Sequence, residues 1–98
     1  MEITDVKIRR IFSDTKLKAL VSITIDGELA LHDIKLIQGS DRLFVAMPSR
    51  KDDSGSYRDI VHPIAASARH KLEAAIFSAY SQYIDSDSEQ LSPSEELM

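Results

Sequence analysis

The sequence predicts an α+β fold: an antiparallel sheet of about five strands, one helix after it, and a disordered acidic tail at the C-terminus. Three observations lead to this prediction. Apolar and polar residues alternate over much of the first half of the chain, and from about residue 65 the apolar residues recur every three or four positions. Short turn sequences separate the predicted strands, which favours antiparallel pairing. We expect a single domain over residues 1–84 and a tail over residues 85–98.

The first two predicted strands show the clearest alternation. Ile3–Ile11 places Lys7 and Arg9 on the face opposite its apolar side chains, and Leu17–Ile25 is apolar at every odd position. Asp26-Gly27 follows directly and suits a type I′ turn, in which both central residues have positive φ. The second and third strands should therefore form a tight hairpin.

The third and fourth predicted strands depart from simple alternation. Leu29–Ile37 changes phase at His32-Asp33, which indicates a β-bulge. Leu43–Met47 is apolar at every position, which predicts a short central strand buried on both faces. We expect Pro48 to end that strand, because proline has no amide hydrogen for the ladder.

A polar loop over Ser49–Ser56 and a fifth strand over Tyr57–Ile64 complete the predicted sheet. The helix should begin near Ala65, with Ser67 as a candidate cap. Its apolar stripe contains Ala68, Leu72, Ala75, Ile76, Ala79 and Tyr83.

Apolar residues on the second face of the sheet lead us to expect a homodimer. Leu20 and Ile11 both lie off the main apolar faces of their strands. A single helix can cover one face of a sheet, so a second copy of the chain is the simplest partner for the other.

The composition narrows the class of protein. The chain has 98 residues and no cysteine, which excludes disulfides and thiolate metal sites and is compatible with a reducing cytoplasm. The sequence shows neither a signal-peptide run nor the roughly 20 apolar residues that span a bilayer. We therefore expect a soluble cytoplasmic protein that does not bind membranes.

The formal charge of −4 is unevenly distributed along the chain. Five of the 16 acidic residues lie in residues 85–98, which contain no lysine or arginine. Residues 1–84 consequently hold all 12 basic residues against 11 acidic ones. The tail carries the excess acidity, so a local basic patch is compatible with the folded domain.

The sequence gives little sign of catalysis or metal binding. His32 and Asp33 point to opposite faces of a regular strand, and the three histidines lack the spacing of a metal site. Gly39 and Gly55 stand alone, so a phosphate-cradling glycine loop is not predicted. We expect a protein that is not an enzyme and that needs neither cofactor nor metal.

Basic residues around the start of the predicted helix are the best candidates for function. Arg69 and Lys71 lie in its first turns, where free backbone amides attract the same anions. Arg50 and Lys51 in the preceding loop extend this set. Two cations at a helix N-terminus oppose the helix dipole, and functional sites tend to break local rules in this way. The alternative is an ordinary solvated helix face with Glu73 nearby.

Short segments spread over residues 1–84 form a recognisable series: Met1–Val6, Ile8–Arg10, His32–Ile34, Leu43–Ser49, Arg58–Ile60, His62–Ile64, and Ser67, Arg69 and Lys71. Taken in this order, they resemble the bacterial stage V sporulation protein G family. Together their order and spacing are specific, and the tail lies outside the resemblance.

The resemblance implies a dimeric sheet-plus-helix protein that binds preferred DNA sites and, in some members, RNA, and that influences septation and sporulation. It makes Arg69 and Lys71 the DNA-contacting residues, supported by Arg50 and Lys51. Asp52-Asp53 departs from the usual loop and weakens its positive potential, and His70 replaces a small residue. The alternative function is a protein–protein interaction module that acts on septation without touching nucleic acid.

Overall fold

The computed structural model describes the backbone of residues 1–97 and the side chains of residues 1–85. Strands β1 to β4 form one antiparallel sheet in chain order, and β5 and β6 form a separate two-stranded sheet. The bounds are β1 Ile3–Ile11, β2 Leu17–Ile25, β3 Leu29–Gln38, β4 Leu43–Ala46, β5 Ser49–Lys51, β6 Tyr57–Asp59 and α1 Ala66–Leu97. The predicted α+β class, an antiparallel sheet followed by a helix, is confirmed.

The turn between β2 and β3 has the predicted type I′ geometry. Asp26 and Gly27 have φ values of 55° and 65°, and the Glu28 amide donates to the Ile25 carbonyl at 2.9 Å. The Asp26 carboxylate also accepts a hydrogen bond from the Glu2 amide at 2.9 Å, so the turn is tied to the start of β1. A local dipeptide thus joins three strands at one end of the sheet.

Alanine in place of Gly27 should destabilise this turn. A Cβ there would meet nothing within 4 Å, so the effect comes from the left-handed backbone, which disfavours a side chain by about 1–2 kcal/mol. Gly27→Asn is the matched control, because asparagine tolerates this conformation better. Urea denaturation of both variants measures the difference, and an unchanged midpoint for Gly27→Ala would contradict the expectation.

The hydrophobic core lies between α1 and one face of the four-stranded sheet. The sheet contributes buried side chains from β2, β3 and β4 and from the residue after β4, and the helix contributes two more. They are Ala19, Val21, Ile23, Ile34, Leu36, Val45, Met47, Leu72 and Ile76. The other face of the sheet has no helix on it in the described part of the chain, and we call it the open face.

The helix packs with a stripe slightly different from the predicted one. Leu72 and Ile76 are buried as expected, while Phe77 and Tyr80, which were not predicted, also pack against the core. Tyr83 is 44% exposed, because at this point α1 reaches the outer edge of β1 and Tyr83 only lines a groove there with Ala79.

The prediction of a central, doubly buried fourth strand is wrong. β4 lies at an edge of the sheet, with β3 as its one neighbour. Val45 is 4% exposed on the core side, whereas Phe44 is 41% exposed on the open face. The continuous apolar run in β4 therefore arises because the open face is itself apolar at this edge of the sheet. It does not indicate burial on both faces.

The predicted polar loop and fifth strand together form a hairpin outside the main sheet. Within the loop, Ser49–Lys51 pairs with Tyr57–Asp59, and the fifth strand ends well before the predicted Ile64. The Ile60 amide still reaches back to the Pro48 carbonyl at 2.8 Å. Prolines limit the ladder on both sides, since Pro48 precedes β5 and Pro63 lies beyond β6.

The helix extends beyond the predicted boundary of the folded domain at residue 84. We predicted that residues 85–98 are disordered. All of them except Asp85 have side chains that lie outside the described residues, so this disorder stays a prediction. Over the residues that the structure describes, no helix is long and apolar enough to cross a membrane.

Candidate nucleic-acid interface

The predicted pair Arg69 and Lys71 lies at the start of α1, but the two side chains are not brought together. Residues two apart on a helix are separated by roughly 200° around its axis. Arg69 reaches along the helix to Glu73, with 3.3 Å between Nη1 and Oε2. Lys71 donates from Nζ to the Met1 carbonyl at 3.1 Å. The pair therefore presents two separated cations, and a single phosphate cannot occupy both.

The supporting candidates Arg50 and Lys51 lie in β5, and both are exposed. Arg50 is opposite Arg58 of β6, so two like charges face each other across the hairpin. Lys51 lies over its cross-strand neighbour Tyr57, with Nζ 5.9 Å from the ring centroid. The hairpin thus exposes Arg50 and Lys51, and Lys51 lies beside an aromatic ring.

Asp52 organises the turn of this hairpin. Its Oδ1 accepts hydrogen bonds from the Ser54 amide at 3.0 Å, the Ser54 hydroxyl at 2.7 Å and the Ser56 amide at 3.0 Å. Its Oδ2 accepts from Arg58 Nε at 2.7 Å. The hydrogen bond from Arg58, followed by those from Ser54 and Ser56, lowers the pKa of Asp52 to about 2. Asp52 thus offsets the charge of Arg58, which lies opposite Arg50.

Acid should loosen this turn only at unusually low pH. The pKa of Asp52 is depressed in the folded state, so its contribution is complete above about pH 4 and is lost as the pH falls through about 2. The Ser54 and Ser56 amide resonances should titrate with a midpoint near 2. In Asp52→Asn this transition should disappear, while Asp53→Asn should retain it. A midpoint near 4 would contradict the proposed bonding.

A line of polar side chains crosses three strands on the open face. Arg9 of β1 donates from Nε to the Ser22 hydroxyl of β2 at 3.1 Å. Ser22 Oγ lies 2.9 Å from Nδ1 of His32 in β3. Ser22 is 5% exposed, although it lies on the face away from the helix. The Arg9 and His32 side chains consequently lie across Ser22 and satisfy its hydroxyl.

The predicted bulge at His32-Asp33 is confirmed and explains this line. The β2–β3 register shifts between the pairs Val21–Ile34 and Ile23–Leu31, and Asp33 has a φ of 63°. The His32 ring is hydrogen-bonded to the Ser22 hydroxyl. Ser22 is too buried to attack a substrate, and its Oγ already accepts a hydrogen bond from Arg9. We assign the three polar side chains a structural role that joins the strands.

The open face carries basic residues that the sequence reasoning did not select. Lys7 pairs with Ser22, and Arg10 pairs with Leu20, so both lie on the face opposite the core. Lys35 is the neighbour of Leu20 on the other side. The prediction that Ile11 lies on this second face is wrong, because the register shift after Ile8 places Ile11 opposite Ala19 and against the core. The three cations within residues 7–10 were the one sequence signal that could have indicated this basic surface.

The basic side chains of the helix and the hairpin differ from those of the open face in whether they form ion pairs with carboxylates. Among the side chains of residues 1–85, the two ion pairs are Arg58–Asp52 and Arg69–Glu73. Within that span, none of the cations on the open face has a carboxylate oxygen within 4.0 Å. In the same span, no group of three histidine, aspartate or glutamate side chains is arranged to hold a metal ion.

Known proteins resemble the chain over nearly its whole length. The sequence model of the SpoVG family matches residues 1–82. A protein of Alkaliphilus oremlandii named "Putative septation protein SpoVG" is 52% identical over 89 residues, or 91% of this chain and 96% of that protein. "Putative septation protein SpoVG 1" of Listeria monocytogenes is 52% identical over 80 residues, covering 82% of this chain and 78% of its own. A Clostridium beijerinckii relative is 49% identical over 87 residues, covering 89% and 96%.

Proposed function

The chain belongs to the SpoVG family, and from this membership we propose that it is a cytoplasmic nucleic-acid-binding regulator, active as a dimer, that takes part in septation. The names of its relatives support a role in septation. The observation that supports nucleic-acid binding is the position of two cations on different sides of the start of α1. Such an arrangement suits two successive phosphates, with one cation and the helix amides contributing to each contact.

The intramolecular contacts of these two cations are weak enough for phosphates to replace them. An i,i+4 ion pair on a helix contributes about 0.3–0.5 kcal/mol, and Arg69 remains 41% exposed, so water already screens its attraction to Glu73. The contact of Lys71 is one exposed hydrogen bond to a carbonyl. Both contacts hold the side chains near the helix end while leaving them available.

A symmetric dimer would carry two copies of this surface. Binding of the second copy to the same duplex becomes intramolecular after the first has bound, so the affinity rises without a new contact. Arg50 and Lys51 add two exposed charges per chain on the neighbouring hairpin. Phosphate contacts of this kind fix the position of the protein, and preference for a site then comes from DNA shape or additional contacts.

The double variant Arg69→Gln/Lys71→Gln tests the proposed duplex site. Two lost phosphate contacts should flatten the dependence of log K on log salt by about 2 units per engaged subunit. Gel shifts with one duplex over a salt series measure this slope. The control Lys16→Gln/Arg42→Gln makes the same change in charge in exposed segments between strands. If the helix variant keeps the wild-type affinity and slope, the duplex site is wrong.

Removing the competing carboxylate should have the opposite effect. Glu73→Gln frees the Arg69 guanidinium and removes a negative charge beside the proposed phosphate, so duplex binding should tighten by several-fold at low salt. The gain should shrink at high salt, where exposed charges are screened. Glu28→Gln, at the end of the sheet, is a charge-matched control. Weaker binding by Glu73→Gln would contradict a phosphate contact at Arg69.

An apolar patch favours a second candidate function, a protein-interaction module. Tyr57 of β6 is 71% exposed, and Ile60 and Ile64, in the segment that leads from β6 to α1, are 64% and 92% exposed. Such side chains are typical of protein contacts. Nuclease-resistant capture of a protein partner that is lost in Ile60→Ser/Ile64→Ser, together with no retention on DNA at low salt, would favour this alternative.

A further inference from the structure

We infer that the open face of the four-stranded sheet is a separate binding site for single-stranded nucleic acid. The site contains Lys7, Arg9, Arg10 and Lys35 as cations, with Phe44 at its far side. This inference rests on the proposed function only in taking nucleic acid as the partner. Its residues lie on the sheet, and the residues of the duplex site lie at the start of α1. Its experiment can therefore succeed or fail independently of the duplex site.

A β-bulge creates the charge density of this face. The register of β1 against β2 shifts between Ile8 and Arg10, so that Arg9 is an extra residue in β1. Arg9 reaches Ser22 and Arg10 pairs with Leu20, both on the open face, although regular alternation would send these neighbours to opposite faces. With Lys7, three cations of one strand then share one face.

The cations flank a partly apolar floor. Arg10, Leu20, Lys35 and Ala46 form one row across the four strands. Arg10 and Lys35 are two strand spacings apart, or roughly 10 Å, with half-buried Leu20 between them. Such a row can hold the phosphates of one strand while bases contact the floor.

Flat side chains provide surfaces on which bases can stack. Arg9 is held across the sheet by its bond to Ser22, which leaves the end of its guanidinium free, and His32 is held from the other side of Ser22. Arg10 already lies over a ring, with Cζ 5.1 Å from the centroid of Phe12. Phe44 is 41% exposed and pairs with Ile37 on the open face. Unpaired bases stack on aromatic, histidine and guanidinium planes of this kind.

Charge and shape favour a single strand over other occupants. In a duplex the base planes are hidden, so Phe44 and the apolar floor would find no partner. A second copy of the chain, docked on this face about a two-fold axis, would place the same patch against itself and oppose its cations to one another. A polyanion with exposed bases complements both the charge and the floor.

The matched variants Arg10→Gln/Lys35→Gln and Phe44→Leu test this inference. Arg9 is left unchanged because it also joins strands. Binding is measured by fluorescence anisotropy of an eight-nucleotide single strand, as RNA and as DNA, over a salt series. The cation variant should flatten the log–log salt slope by about 1.4 units, since each phosphate contact on a single strand contributes about 0.7. Phe44→Leu should weaken binding by about tenfold with little change in slope, because stacking is lost and charge is kept.

Each outcome decides the inference. Lys16→Gln/Arg42→Gln should keep the wild-type slope, and an equal loss in that control would mean non-specific attraction and overturn the site. Unchanged binding by Arg10→Gln/Lys35→Gln would overturn it, as would a shift of that variant from dimer to monomer in sedimentation, which would show a second copy on this face. If Arg69→Gln/Lys71→Gln binds duplex normally while Arg10→Gln/Lys35→Gln loses the single strand, the duplex proposal fails and this one stands.

Discussion

Replacement of Ile76 by alanine is expected to lower the free energy of unfolding by about 2–5 kcal/mol. Ile76 is fully buried and belongs to the core between α1 and the sheet. The change removes apolar contact area and leaves a cavity. The neighbouring side chains are fixed on a rigid sheet and cannot move inward to fill that cavity. A domain this small has little stability to spare, so the variant should be close to unfolding at physiological temperature.

The matched control for this change is Ile64→Ala, which deletes the same atoms from a side chain that is 92% exposed. Its effect should stay within about 0.5 kcal/mol. Urea denaturation followed by far-UV circular dichroism measures both variants, with protein concentration held constant because a dimer gains stability by mass action. Similar midpoints for the two variants would mean that α1 does not pack on the sheet as described.

Combining the two cation variants should weaken binding to a long single strand more than either alone. The start of α1 and the open face share no side chain, so losses at the two surfaces should be close to additive. For a strand long enough to reach both, the salt slope should fall by about 1.4 units for each surface.

Strand length provides the internal control. An eight-nucleotide strand occupies one surface, so with this ligand the combined variant should match Arg10→Gln/Lys35→Gln alone. Anisotropy with 8- and 30-nucleotide strands of one composition makes the comparison. A combined variant that loses no more than the sheet variant on the long strand would show that the two surfaces do not act together.

Local signals explain why part of the fold could be predicted from the sequence. The apolar residues of β2 recur at every odd position and mark the ends of that strand, and Asp26-Gly27 encodes its turn without help from the rest of the chain. The bulge at His32-Asp33 was visible because apolar side chains lie on both sides of it and change parity there.

Features that depend on distant contacts were not predictable in this way. The edge position of β4 follows from the order of strands in the sheet, which an apolar run does not reveal. The hairpin of β5 and β6 is short and polar, and the ion pair between Asp52 and Arg58 stabilises it. The sequence between these two residues is typical of an ordinary polar loop. Only the folded chain shows that these residues pair.

The candidate site divides in the same way. The position of Arg69 and Lys71 in the first turns of the predicted helix, together with the family resemblance, made them candidates. In the structure, helix geometry separates their side chains and each makes an intramolecular contact. Ile11 was assigned to the wrong face because the register shift at Arg9 leaves no apolar marker in the sequence, since Arg9 and Arg10 are both arginines.

The extra residue at Arg9 also bears on how the length of β1 can change. Removing Arg9 itself would restore regular alternation, with Arg10 still opposite Leu20 and Ile11 still opposite Ala19. Such a deletion would take one cation from the open face and leave the inward-facing residues of the strand in place. The bulge is therefore the position in β1 at which one residue can be lost without exchanging the two faces of the strand.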